Sequence, residues 1–349
     1  MRKGNRWLAV LSVVALTMIL VVGLVGCGST TTTTKAPVTT TVAPATTTTQ
    51  APASTTTTTA ATTTTAAASY DIKTVVAGIK ADSAIKAMLP AAMQTSAEMK
   101  VASDIPYPPW EMFVGNSTSE ATGFDYDLSQ AIAAKMGIKA TYVNTKFDSI
   151  ILSLQSGKND VAMSDMYDNL SRQKVLDFVD YANDGTSILV LKGNPLKVGN
   201  LDTLSGKAVG CEKGTTQAVM LDTLNATFKT AGKPEMTINQ YPDQPSALLA
   251  VQSGKVVGDL TDHSTASYVA MTQGGGGVFE VVADPAAPSG YESQPVGAGI
   301  LKTNTQLRDA YQKALQALID DGTYKTIIDH YGLLPVDSAK VNSGTSPGA

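Results

Sequence analysis

Two stretches of this chain carry one pattern 97 residues apart: IILSLQSGKNDVAMSD at Ile150–Asp165 and ALLAVQSGKVVGDLTD at Ala247–Asp262. Aligned without gaps, they share Leu152 with Leu249, the tetrapeptide QSGK (Gln155–Lys158 with Gln252–Lys255) and the terminal Asp165 with Asp262. Each copy reads as a helix with apolar residues at i, i+1 and i+4, a glycine C-cap, and a strand running into a polar residue. The duplication predicts two lobes built alike. In open parallel sheets ligands bind outside the carboxyl ends of the strands, so Asp165 and Asp262 are expected to face one shared cleft.

Outward from the repeat, helical and strand-like segments alternate. Asp82–Met93 reads as a helix interrupted by Pro90, Met99–Ser103 as a strand, and Ile105–Pro109 as a turn. In GFDYDLSQAIAAKMG, Asp127 occupies an N-cap position with Gln130 three residues on, and Gly137 stops the helix. Ala140–Val143 is the next strand. Such alternation predicts an α/β fold with a largely parallel sheet. Thr186–Lys192 and Pro295–Lys302 are the apolar strands expected to cross between lobes, which places a first lobe at 70–192, a second at 193–294 and completion of the first at 295–335. Leu307, Tyr311, Ala314, Leu315 and Leu318 form an amphipathic face, and residues 336–349 read as a flexible tail.

Composition excludes several function classes. Residues 28–69 are half threonine, 21 of 42, with no charged group except Lys35, so that segment reads as a disordered tether. Removing Arg2, Lys3 and Arg6 leaves 23 basic residues against 30 acidic ones, which argues against a nucleic-acid partner. The only cysteines are Cys27 and Cys211 and the only histidines His263 and His330, so neither a thiolate zinc site nor a histidine-rich metal centre is expected. Nothing in the sequence calls for a cofactor, and no G-x-S-x-G elbow is present.

With these motifs placed, Glu98–Leu333 resembles the bacterial extracellular solute-binding proteins of family 3, which serve ATP-driven importers of polar amino acids. The matching stretches are DIPYPPWE, TGFDYDL, FDSIILSLQSGKNDVAMSD, SRQKVLDFVDYA, LSGKAVGCEKGTT, QSGKVVGDLTD and ALIDDGTYKTIIDHYG, in the family's order. The resemblance implies a two-lobed, periplasmic-binding-protein-like type II fold, with two mixed, mainly parallel sheets joined by two crossover strands. It also implies a monomer that binds a small amino acid and docks on a membrane permease, without catalysis. Arg172 matches the family's clamp for the ligand carboxylate, Asp262 the acid that receives the α-ammonium, and Thr215 a donor to the carboxylate. Tyr107 and Phe147 match the aromatic pair around the ligand side chain, and Asp104 an acid at the far end of that pocket.

Ser164, Asp165 and Tyr167 complete the implied shell, and here the chain departs from the family, which usually has Gly or Ser at Asp165, Ser or Thr at Tyr167 and Thr at Asn169. A carboxylate at Asp165 either pairs with Arg172 or faces a ligand cation. Three acids (Asp104, Asp165, Asp262) against one arginine favour a basic amino acid, with glutamine or another polar amino acid as the alternative. A cyclohexadienyl-dehydratase-like enzyme on the same fold is the competing class, although His263-Ser264-Thr265 lacks the acid that those enzymes carry there; a ligand sensor is another. Asp125 and Asp127 read as structural, Trp110 as lobe packing, and His263 as bordering the cleft.

The N-terminus reads as an address. Arg2, Lys3 and Arg6 precede the apolar run Trp7–Val25, as in an export signal over residues 1–27. LVGC at Leu24–Cys27 resembles a bacterial lipobox, implying a lipid on Cys27 and an extracytoplasmic, membrane-anchored protein. A plain transmembrane anchor is the alternative.

Overall fold

The computed structural model describes residues 70–348. The export signal with Cys27 and the threonine-rich tether lie outside the described residues. The elements follow in the order α1 (Ile72–Gly78), α2 (Ser83–Met88), α3 (Ala91–Ser96), β1 (Glu98–Ser103), β2 (Met112–Phe113), β3 (Ala121–Thr122), α4 (Phe124–Lys135), β4 (Lys139–Asn144), α5 (Ile150–Gln155), β5 (Val161–Ala162) and β6 (Leu176–Leu191). Then come β7 (Ala208–Glu212), α6 (Thr216–Thr230), β8 (Thr237–Tyr241), α7 (Gln244–Gln252), β9 (Asp259–Asp262), α8 (His263–Thr272), β10 (Phe279–Val281), β11 (Tyr291–Leu301), α9 (Thr305–Asp320) and α10 (Thr323–Tyr331).

The sheet order is β4-β1-β5-β11-β6-β9-β7-β8, with β10 also on β6. Pairs β1–β4, β1–β5, β7–β8 and β7–β9 are parallel, as the helix–strand alternation predicts, while β6 and β11 are antiparallel to each other and to their neighbours. Both long strands run from one half of the molecule into the other. The two expected sheets therefore share strands and form one continuous nine-stranded sheet. The crossing strands begin earlier than the apolar runs suggested, because the acid-rich first half of β6 is also paired strand. Register shifts between β6 and β11 fall at Tyr291/Gln294 and Val296/Gly297, where the strands pass between halves.

Two groups of core clusters flank the crossing. One gathers Met99, Val101, Phe124, Leu128, Ile132, Tyr311 and Leu315, among others. The other gathers Val209, Cys211, Leu221, Phe228 and Leu260. The face expected on α9 is buried at every named position, and Asn304 caps that helix through the Leu307 N–H at 3.3 Å.

The repeat is structural. Gly157 and Gly254 have φ of 70° and 73°, and the capping bonds coincide: Lys158 N–H to the Ser153 carbonyl and Lys255 N–H to the Ala250 carbonyl, both 2.9 Å. The shared leucine is not core, since Leu152 and Leu249 are 66% and 63% exposed. Asp127 is not an N-cap. Helix α4 starts four residues earlier, with Gly123 at the cap, and Asp127 instead accepts the Tyr70 and Tyr331 hydroxyls at 2.7 Å each. Pro90 separates α2 from α3 by standing at the latter's N-cap. The chain after Val336, read as frayed, lies along β6: Asp180 N–H donates to the Lys340 carbonyl at 2.9 Å and Asn342 N–H to the Phe178 carbonyl at 3.0 Å.

Because no atom lies within 4 Å of a Cβ built at Gly157 or Gly254, Gly157→Ala and Gly254→Ala are each expected to cost about 1 kcal/mol, the conformational cost of a left-handed residue. Gly123→Ala should cost more, since its Cβ would lie 2.3 Å from the Trp110 carbonyl oxygen. Urea unfolding midpoints measure all three, and an unaffected Gly123→Ala would contradict this backbone account.

Candidate functional site

The cavity lies at the carboxyl ends of the parallel strands. Asp104 follows β1, Ser164 and Asp165 follow β5, Glu212 ends β7, Thr216 and Gln217 open α6, and Asp262 ends β9. All nine residues singled out from the sequence line this one cavity, Asp104, Tyr107, Phe147, Ser164, Asp165, Tyr167, Arg172, Thr215 and Asp262, together with Glu212, Thr216 and Gln217. Its atom-free space, open solvent included, is about 320 Å³.

Contacts between the two halves close over it. The Tyr107 hydroxyl, from the first half, donates to Asp262 Oδ2 at 2.5 Å and lies 2.7 Å from Thr261 Oγ1. Trp110 Nε1 donates to Ser264 Oγ at 2.8 Å, in keeping with lobe packing. At the rim, Lys146 pairs with Asp243 and Asp148 with Lys213, each at 2.9 Å.

Carboxylates dominate the interior. Those of Asp165, Asp184 and Asp262 are buried, with one oxygen from each within 4.8 Å of the others. Asp262 also accepts Gln217 Nε2 at 2.8 Å. Asp184 accepts the Gly185 N–H at 2.7 Å and the Ser264 N–H and hydroxyl at 3.2 and 2.5 Å. Asp165 differs: its φ is 45°, its N–H donates to Asp125 Oδ2 at 2.8 Å, and neither carboxylate oxygen has a partner although the residue is only 5% exposed. Calcium or magnesium needs six or more oxygen ligands, whereas four of the six oxygens here already accept N–H or O–H donors. The set suits an ammonium, which donates its own hydrogens into the gap.

A second acidic group lies around Asp104. Its carboxylate accepts the Phe147 N–H at 2.9 Å and Lys146 Nζ at 3.3 Å, and Glu212 is beside it. Arg172 pairs with neither group. Its guanidinium donates to the Tyr167 carbonyl at 2.9 Å and the Gly214 carbonyl at 3.3 Å, and lies 5.3 Å from the Phe147 ring centre. Of the two expectations for Asp165, the geometry retains the open carboxylate. Thr215 is committed elsewhere: its hydroxyl donates to the Glu212 carbonyl at 2.7 Å and caps α6 at the Ala218 N–H. Thr216 Oγ1, one residue on, is buried without a partner. Glu212, Thr216, Gln217 and Asp184 escaped sequence reading, though the strand-end rule that flagged Asp262 applies equally to Glu212. His263 does not line the cavity and pairs with the Ser187 hydroxyl at 2.8 Å.

Burial drives the electrostatics. It raises Asp165 well above the carboxylate range, with Asp262 and Asp184 adding to it, and it raises Asp262 and Asp104. It pushes Glu212 up to about 10, with Asp104 beside it, and Asp184 and Asp125 each up to about 7. Desolvation also brings Arg172 down to about 10.

Residues 99–333 match the family described as bacterial extracellular solute-binding proteins, family 3. The chain belongs to that family. It is 29% identical over 235 residues to the lysine/arginine/ornithine-binding periplasmic protein of Escherichia coli (strain K12), covering 67% of this chain and 86% of that protein. An ancestral arginine-binding protein solved with arginine superposes with a TM-score of 0.60 at 31% identity, over 68% of this chain and 98% of that one. An ancestral amino acid-binding protein, a precursor of cyclohexadienyl dehydratase, gives 0.58 at 28% identity over 69% and 97%. These neighbours agree with the type II two-lobed fold implied by the sequence motifs.

Acids whose pKa is raised on folding bind protons more tightly folded than unfolded, so their stabilisation is full below the ordinary carboxylate range and is lost as pH rises through about 7. The ligand-free protein should therefore lose thermal stability between about pH 4 and pH 8. Asp177, where bonds from Lys302, Asn342 and Arg308 outweigh partial burial, sits at about 2 and acts oppositely, only at lower pH. Calorimetric melting across that range measures the slope, and a midpoint that climbs with pH would contradict it.

Proposed function

We propose that the chain is the capture subunit of an ATP-driven importer and that it binds an amino acid with a cationic side chain, of the lysine, arginine or ornithine kind. The observation that carries the ligand class is that one cavity holds two acidic groups, Asp165 with Asp262 for the α-ammonium common to all amino acids, and Asp104 with Glu212 for a second cation. In this reading the α-ammonium occupies the gap among those carboxylates and displaces the Tyr107 hydroxyl from Asp262. The carboxylate meets the Arg172 guanidinium, with the Thr216 hydroxyl and the α6 N-terminus as further donors. The side-chain cation lies toward Asp104 and Glu212, between Tyr107 and Phe147. The ligands for which the lysine/arginine/ornithine-binding and arginine-binding relatives are named support the same class.

Capture proceeds by closure about β6 and β11. A ligand favours the closed state only through its differential affinity for it. Rim ion pairs contribute about 0–1 kcal/mol each in exposed positions, so neutralising the interior acids contributes more to closure than the rim does. Binding, rather than dehydration, is the function we infer: His263 is held by Ser187 outside the cavity, and the neighbouring Ser264 hydroxyl bonds Asp184 and Trp110. We further propose export, lipid attachment at Cys27 and a monomer that reaches its permease on the threonine-rich tether.

Titration calorimetry with L-arginine, L-lysine, L-ornithine and L-glutamine tests the reading. Basic ligands should bind more tightly than glutamine and more tightly at pH 8 than at about pH 5, because the acids must ionise. Arg172→Ala should cost about 2–5 kcal/mol of binding, and Asp104→Asn should narrow the preference for arginine over glutamine. Glutamine binding with no basic amino acid bound would overturn the ligand class; basic ligands binding undiminished in Arg172→Ala would remove Arg172 from the site.

A further inference from the structure

The chain continues beyond Leu333, where the family match ends, and its last described residues grip the turn that carries Arg172. Val341 pairs with Val179 on β6, and Ser343 donates through its N–H and hydroxyl to Asp180 Oδ2 at 3.1 and 2.5 Å. From there the tail leaves the strand and meets residues 168–173. Gly344 N–H donates to Asp168 Oδ2 at 2.7 Å, and the Gly344 carbonyl accepts Gln173 Nε2 at 2.8 Å. The Ser346 carbonyl accepts the Leu170 N–H at 2.8 Å and the Pro347 carbonyl accepts the Ser171 N–H at 3.1 Å. These bonds fall on both sides of Arg172 in sequence. The fit at Gly344 leaves no space for a side chain, since a Cβ there would lie 1.9 Å from the Asp168 carbonyl oxygen. Arg172's own N–H is held at 2.9 Å by Asn169 Oδ1, against which Gly348 packs.

We propose that residues Gly344–Pro347 are a positioning strap for Arg172: they hold its turn from outside the cavity, so that the guanidinium presents a fixed pair of donors to the ligand carboxylate. The proposal rests on the reading of Arg172 as the carboxylate partner. Arginine carries about 2 kcal/mol of rotamer entropy, and a paired contact to a carboxylate demands a defined plane. The turn has little regular structure of its own, a single 3-10 turn at Arg172–Lys174. Without the strap, the Leu170 and Ser171 N–H groups lose the partners that fix the turn. The strap touches neither the acid group around Asp165 nor that around Asp104, so its effect is confined to the carboxylate end of the ligand.

Two variants of the mature chain test this, Gly344→Val and removal of residues 344–349, the latter keeping the Asn342 and Ser343 bonds to β6. Calorimetry with L-arginine and L-argininamide separates carboxylate recognition from the rest of the site. L-arginine is expected to weaken about tenfold or more while L-argininamide changes less than about twofold, as for loss of a charge-assisted bond alone. Equal weakening of both, or none, would overturn the proposal. Hydrogen exchange reads the strap without any ligand: the Leu170 and Ser171 amides should lose protection in both variants while the β6 amides keep theirs, and unchanged protection would also overturn it. If the unaltered protein bound no L-arginine, the ligand reading would fail, and hydrogen exchange would still decide whether the strap holds the turn.

Discussion

A carboxylate taken out of water without a partner costs several kilocalories, and the cleft holds Asp165 in that condition beside two more acids. The protein adapts by raising proton affinities: burial moves Asp165, Asp262 and Asp184 upward. The same arrangement makes the closed cleft selective. A neutral ligand side chain leaves the acids around Asp104 protonated or uncompensated, whereas a cation replaces protons with charge-assisted hydrogen bonds. Arg172 makes no bond to these acids: two of its five N–H donors go to the Tyr167 and Gly214 carbonyls, and the others remain for a ligand. Positive and negative recognition groups therefore coexist in one cavity without neutralising each other.

Closure draws on few direct attractions between the halves. Lys146–Asp243 and Lys213–Asp148 involve lysines 48% and 60% exposed at their side chains, where screening leaves little net energy. Deeper contacts include Tyr107 with Asp262 and Thr261, and Trp110 with Ser264. One of these, Tyr107 with Asp262, occupies an acceptor that an ammonium also wants. A ligand exchanging itself for that hydroxyl gains the difference between a charged and a neutral donor, roughly a factor of two in hydrogen-bond strength. A difference of that kind, present in one state and absent from the other, is what shifts a two-state equilibrium.

Much of this was legible in the chain. The QSGK repeat marked both helix–glycine–strand units because a left-handed glycine and a strand-end polar residue are local requirements, met without long-range information. The cavity residues were recoverable for a related reason: parallel strands deliver their carboxyl ends to one edge, so Asp104, Asp165 and Asp262 converge. What escaped depends on side-chain commitments. Thr215 and Thr216 are adjacent and chemically identical, and only the helix start decides that one caps α6 while the other faces the cavity. Asp127 met the capping-box pattern, yet a backbone contact between Gly123 and Trp110 starts α4 earlier. Asp184 lies mid-strand in β6 and comes beside Asp165 and Asp262 only because that strand crosses between halves.

Strand β6 also explains why the tail is ordered where composition suggested fraying. Asp177, Asp180 and Asp184 sit on this one strand, and the first two take donors from the tail. Asp177 finds Lys302, Arg308 and Asn342. Asp180 is buried with no basic partner among the described residues; burial and the nearby Asp168 leave it at about 7, and its donors come from Ser343. Across the sheet, Gly297 accommodates it: a Cβ there would lie 2.7 Å from Asp180 Oδ1. The tail thus supplies what the sheet does not, the N–H and O–H donors of Ser343 to a buried acid. Having docked for that reason, it continues onto Asp168 and the Arg172 turn. The acid-rich strand that brings Asp184 beside Asp165 and Asp262 is in this way also the anchor for the segment that backs the arginine.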